Sequence, residues 1–158
     1  WEISQNEVIK SYSLDDINAH IIYSFPESIF YWVKSRFFDA SILNASALFI
    51  QKALQHDRKD GFYVRNGKSF IQIVVKDNNK LVYNNCFKIN NKEELLYFIA
   101  SISKQHGRSQ NESSIDLAAF SFEEYQFLKS YFAFVYFIET PDIENLEQEQ
   151  AQSEFLIL

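Results

Sequence analysis

Arg65, Gly67 and Lys68, within the run Tyr63-Val64-Arg65-Asn66-Gly67-Lys68, are the residues whose types and spacing best fit contact with an anion. Two cations flank a glycine, the residue that lets a backbone approach a ligand closely. Asn66-Gly67 is also the preferred centre of a two-residue hairpin, in which both positions take positive φ. The chemistry on offer is charge and backbone N–H contact. The competing reading is a plain turn with solvated basic flanks.

Other catalytic templates are absent from the sequence: there is no G-x-S-x-G elbow, no Walker-type loop and no H-E-x-x-H. His20 falls on an expected strand and His56 in a charged connector. His106 stands beside Gly107, where a helix end favours it as a capping residue. The paired carboxylates Asp15/Asp16, Glu93/Glu94 and Glu123/Glu124 fall in first helical turns, where negative charge stabilises a helix. Adjacent helical residues do not face each other, so none of these pairs makes an acid/base dyad. The lone Cys86 excludes an internal disulfide and has no cysteine or histidine spacing around it for a structural metal. No catalytic residue, metal site or cofactor is expected.

These residues must be positioned by a chain of 158 residues with 47% hydrophobic and 17% aromatic content, ample for a core of its own. Fifteen basic residues against 21 acidic ones give a net charge of −6. That leaves no basic field for a phosphate backbone, and nucleic acid is not an expected partner. No apolar run has the length of a membrane span, and Trp1-Glu2-Ile3-Ser4-Gln5 lacks the regions of a signal peptide. The chain therefore reads as cytoplasmic. It opens on Trp1 and contains no Met, so the reading includes a missing start.

The pattern along the chain predicts a short acidic helix at Leu14–Asp16, then a strand at His20–Phe25. Pro26 is placed at the first position of a helix running to about Phe38, on a stripe of Ile29, Phe30, Val33 and Phe37. A strand at Ala40–Leu43 and a helix at Ala45–Gln55 follow. The polar connector Gln55–Asp60 is the best boundary. Beyond it come three β-rich runs, Phe62–Arg65, Ser69–Lys76 and Lys80–Ile89, turning at Asn66-Gly67 and at Asp77-Asn78-Asn79. Asn91 with Glu94 opens a helix buried through Leu95, Leu96, Ile99 and Ile102, and Gly107 ends it. Ser114–Phe120 is a strand. Ser121 and Glu124 form a capping box, Tyr125, Leu128 and Phe132 line the helix it opens, and Phe134–Ile138 is the last strand. An acidic tail from Thr140 has Pro141 at a helix start and an apolar end at Phe155–Leu158.

From Gly61 the order is β-β-β-α-β-α-β: an antiparallel meander, then right-handed crossovers that make the later strands parallel. This is an α/β mixed sheet, and its order resembles the unit of the ribonuclease-H-like and actin-like ATPase folds. The run Lys80-Leu81-Val82-Tyr83-Asn84-Asn85-Cys86-Phe87, followed by Glu93-Glu94-Leu95-Leu96-Tyr97-Phe98, resembles an uncharacterised bacterial family, domain of unknown function 3822. That family resembles actin-like ATPases in fold and has no established activity. The resemblance implies a partial first subdomain over residues 1–56, a second actin-like subdomain over 57–140 and an acidic tail over 141–158. In nucleotide-binding relatives of that fold the first turn of a unit carries an Asp and a Gly separated by one residue. Here Arg65 stands at the position resembling that Asp. The metal-binding carboxylate is absent, and the three glycines of the chain supply no second glycine-rich loop.

The aromatic residues carry the remaining signal. Tyr131–Phe137 reads as a strand covered on both faces. Tyr31 and Trp32 lie off the apolar stripe of their helix and are placed to anchor a protein partner or a second copy. The reading is a non-catalytic interaction or assembly module on a degenerate actin-like fold. The alternative is a residual cleft that binds a nucleotide or other anion, with slow phosphoryl transfer.

Overall fold

Backbone pairing builds the first two strands in this computed structural model, which describes residues 6–138. Strand β1, Glu7–Leu14, pairs antiparallel with β2, Ala19–Pro26, from Glu7 opposite Pro26 to Leu14 opposite Ala19. A 3-10 turn at Asp15–Ile17 joins them, and Asn18 leaves it in the left-handed region at φ 50°. Helix α1, Glu27–Arg36, starts after Pro26, which serves as its N-cap, and Glu27 N–H donates to Asn6 O at 2.9 Å. Helix α2, Ala45–Gln55, is capped by Asn44, whose side chain accepts from Ala47 N–H at 3.0 Å.

Two sequence expectations fail in this part. β1 falls where no strand was read, because its alternation is weak and only its pairing with β2 defines it. The strand expected at Ala40–Leu43 is not formed. Two of its backbone acceptors go to side chains instead: Lys34 Nζ donates to Ala40 O, and Tyr23 Oη donates to Ile42 O. The order is therefore β-β-α-α rather than β-α-β-α.

The chain divides into two compact units, 1–52 and 53–158. The second carries β3 (Gly61–Asn66), β4 (Phe70–Asp77), β5 (Lys80–Lys88), α3 (Lys92–Gln105), β6 (Ser114–Ala118), α4 (Phe122–Lys129) and β7 (Phe134–Phe137). Its sheet runs β5-β4-β3-β6-β7. The first three strands are antiparallel, while β6 lies parallel to both β3 and β7. The element order along the chain, the antiparallel meander and the parallel later strands are those expected from the sequence. Leu95, Ile99 and Ile102 of α3 and Leu128 of α4 pack with Phe62, Val64, Ile73 and Leu117 of one sheet face. The other face carries the alternate residues Tyr63, Arg65, Gln72, Lys76 and Asp116.

Helix ends follow the sequence closely. Asn91 Oδ1 accepts from Glu94 N–H at 2.8 Å, and Gly107 closes α3 at φ 69°. Ser121 and Glu124 form the full capping box. The two hairpins divide differently. Asn78 and Asn79, at φ 50° and 62°, make the two-residue turn between β4 and β5. Asn66-Gly67 does not make such a turn. β3 runs through Asn66, and the loop is Gly67–Ser69 with Lys68 at φ 67°, closed by Gly67 N–H to Phe70 O at 2.8 Å.

Candidate functional site

The β3–β4 loop differs from a phosphate cradle because of what its neighbours occupy. A Cβ placed on Gly67 would stand 2.3 Å from the Phe70 ring, so the space left by the missing side chain is filled by that ring. A side chain at Gly67 would have to push the partly exposed Phe70 ring aside. Arg65 stacks on the same ring, with its guanidinium carbon 5.4 Å from the centroid. Its Nε and Nη2 both donate to Gln72 Oε1 at 3.3 Å, and Gln72 Nε2 donates to Asn84 Oδ1 at 2.9 Å. Burial pulls the Arg65 pKa below its ordinary value.

Asn66 points to the opposite face, as strand alternation requires. Its Oδ1 accepts from Lys68 N–H at 2.9 Å, and its Nδ2 donates to Glu124 Oε1 at 2.9 Å. Glu124 Oε2 accepts from Ser121 N–H, also at 2.9 Å. One carboxylate thus caps α4 and holds the loop. Lys68 lines a hollow of about 170 Å³ with Asn90, Asn91, Lys92, Leu95 and Glu124. Of the three residues singled out from the sequence, Lys68 faces this hollow, Gly67 lies under Phe70, and Arg65 is held on the other face of the sheet. Asn90 and Lys92 escaped the sequence reading as lining residues. Their only signal was their place at the start of α3.

A second polar cluster lies on the face that carries Arg65. Lys76 is fully buried, and its ammonium donates to His56 O at 2.7 Å and Leu54 O at 3.3 Å, at the C-terminal end of α2. A cation there meets the negative end of the helix dipole. Asp116 is 1% exposed, and its Oδ2 lies 3.5 Å from Arg58 Nη1. This contact is an ion pair without hydrogen-bond geometry. Burial raises the Asp116 pKa, with Arg58, His56 and Lys76 opposing. Tyr63 Oη donates to Arg58 O at 3.1 Å, and burial raises the phenol pKa. Arg58 N–H donates to His56 Nδ1 at 3.3 Å.

This cluster holds a carboxylate, an imidazole, a phenol and an ammonium. The last two are committed to backbone carbonyls, so the arrangement fastens residues 54–60 to the sheet. The sequence reading missed Lys76 and Asp116 as partners. Two polar residues four positions apart on one face of β4, Gln72 and Lys76, were the available signal. Among the described residues no group of three His, Cys, Asp or Glu side chains could hold a metal ion, and no helix is long and apolar enough to cross a membrane.

The fold is that of an actin-like ATPase domain. A solved structure from Bacteroides thetaiotaomicron VPI-5482, described as a protein with actin-like ATPase fold and unknown function, matches 92% of this chain with a TM-score of 0.71 and 19% identity. This chain spans 60% of that protein's length. The family described as protein of unknown function (DUF3822) matches residues 1–135, and the chain belongs to that family. The AlfA filament bound to AMPPNP is a more distant likeness, at 13% identity and a TM-score of 0.45 over 66% of this chain and 44% of that one. No curated protein matches the chain.

Proposed function

We propose that this chain is a non-catalytic interaction or assembly module, cytoplasmic and bacterial, whose actin-like fold has lost nucleotide chemistry. The observation that carries the reading is the Phe70 ring in the space over Gly67. In support, the nearby hollow of about 170 Å³ is small beside the roughly 300–1,000 Å³ of typical small-molecule sites. The Glu124 carboxylate also lines that hollow, where it disfavours a second negative charge. Exposed aromatic residues on α1 supply a contact surface: Tyr31 is 61% exposed, and Trp32 is 42% exposed with Arg36 4.8 Å from its ring. Trp, Tyr and Arg are the usual anchors of protein contacts.

The rival reading places an anion or nucleotide phosphate against the loop, with Arg65, Gly67 and Lys68 as its contacts. Lys68 and Lys92 on the hollow favour it. Thermal unfolding of the whole chain with and without magnesium and ATP separates the two, because a ligand selective for the folded state raises the midpoint. The interaction reading expects no shift at millimolar ligand. A rise that Lys68→Ala removes would establish the rival.

A further inference from the structure

We propose that the outer edge of β7 takes up an extended acidic segment of another protein as a sixth strand of the sheet, an inference that rests on the interaction reading above. β7 is an edge strand whose outer side pairs with no strand among the described residues. Ile138 N–H donates to Leu117 O of β6 at 2.9 Å. Strand alternation therefore aims the N–H and C=O of Val135 and Phe137 away from β6. The opposite edge, β5, carries Lys80 and Lys88 at its ends, and its pairing with β4 shifts register opposite Val75 and Lys76, the features that protect an edge from further pairing. Between Ser130 and Ile138 the chain has no charged residue and no proline.

The charge around this edge selects the occupant. On one face, Phe134 and Tyr136 are 46% and 42% exposed, and the Arg58 guanidinium, whose Nη1 also pairs with Asp116 at 3.5 Å while a third of the side chain stays exposed, lies 4.3 Å from the Tyr136 ring. On the other face, Phe137 stacks on Tyr125 at 4.8 Å, and Lys129 Nζ donates to Tyr125 Oη at 3.2 Å. Both faces therefore present an aromatic ring topped by a cation. An added strand with apolar residues over the rings and carboxylates beside Arg58 and Lys129 meets both. The directed row of backbone groups calls for a polypeptide.

The test is amide hydrogen exchange on the whole chain with a synthetic peptide of alternating Val and Glu, and with its Val and Lys counterpart. At ten times its dissociation constant the acidic peptide should slow exchange at Val135 and Phe137 by about tenfold. Tyr136 and Ile138, whose amides face β6, serve as internal references. Arg58→Glu with Lys129→Glu should abolish the slowing. So should Val135→Pro, which removes an outward N–H and leaves the β6 ladder in place. No slowing by the acidic peptide, or equal slowing by the basic one, overturns the proposal. Protection without peptide also overturns it: loss on dilution assigns the edge to a second copy, and loss on removing residues 139–158 assigns it to the chain itself. If exchange is unchanged and magnesium with ATP gives no thermal shift, only this surface is lost and the non-catalytic reading stands.

Discussion

Asn66 and Glu124, 58 residues apart in the chain, are joined by a 2.9 Å hydrogen bond from the side-chain amide to the carboxylate that caps α4. The bond ties the β3–β4 loop to a helix start, so loop and helix hold each other's geometry. Asn66→Ala removes this bond and the one from Lys68 N–H, and should cost about 1–2 kcal/mol, since a hydrogen bond to a charged group is worth more than a neutral one. Urea unfolding of both single variants and of the double variant with Glu124→Ala measures the coupling. A coupling near zero would mean that Glu124 acts on α4 alone.

Gly67 gives a second prediction, from packing. The absent Cβ would lie 2.3 Å from the outer atoms of the Phe70 ring, so the ring must shift. Because that ring is partly exposed and can move, Gly67→Ala should destabilise by about 1 kcal/mol, the low end of the cost of overpacking. The penalty should nearly vanish in a Phe70→Ala background, where the ring is gone. If the cost is the same in both backgrounds, the glycine serves another purpose, and backbone approach to a ligand becomes the leading one.

The second unit was legible in the sequence because its signals are local. The Asn91 and Ser121 caps, Gly107 at a helix end and Asn78-Asn79 in a hairpin each act within a few residues of where they are read. The order of elements along the chain followed from them. What stayed hidden depends on distant partners. Asn66-Gly67 reads as a two-residue turn until Glu124 captures the Asn66 side chain. Ala40–Leu43 reads as a strand until Lys34 and Tyr23 take its carbonyls. Arg65 reads as part of the anion loop, yet alternation along β3 sets it opposite Asn66 and beside Gln72. The partners of Lys76 and Asp116 are not encoded locally, because nothing in their neighbourhood says that Leu54 and His56 offer carbonyls to one and that Arg58 reaches the other.

Lys76 leads to a third prediction. Its buried ammonium satisfies Leu54 O and His56 O, two acceptors at the end of α2. Lys76→Met preserves much of the volume but strips both carbonyls of their donor. The expected loss is about 1–3 kcal/mol, the cost of leaving buried polar groups unpaired. Hydrogen exchange should accelerate at residues 54–60 and stay unchanged in α3. A variant as stable as the original would show that water or another donor replaces the ammonium.

Asp116 and Asp60 make opposite contributions to the pH dependence of stability. Burial raises the Asp116 pKa above its unfolded value of about 3.9. As pH climbs from about 4 toward that raised value, the folded state holds a proton that the unfolded state has released, so stability falls across this window and then levels. Asp60 runs the other way. The Asn78 backbone N–H lowers its pKa, with Arg108 adding to the effect, so its contribution is present above the usual carboxylate range and is lost as pH falls through the lowered value. Urea midpoints of the original chain, Asp116→Asn and Asp60→Asn between pH 3 and 7 should therefore separate in different windows. Asp116→Asn should flatten the decline above pH ~4, and Asp60→Asn should flatten the loss below it. Parallel curves for the original chain and Asp116→Asn above pH ~4 would mean that Arg58 holds the buried carboxylate ionised at an ordinary pKa, and that the cluster carries no proton-linked strain.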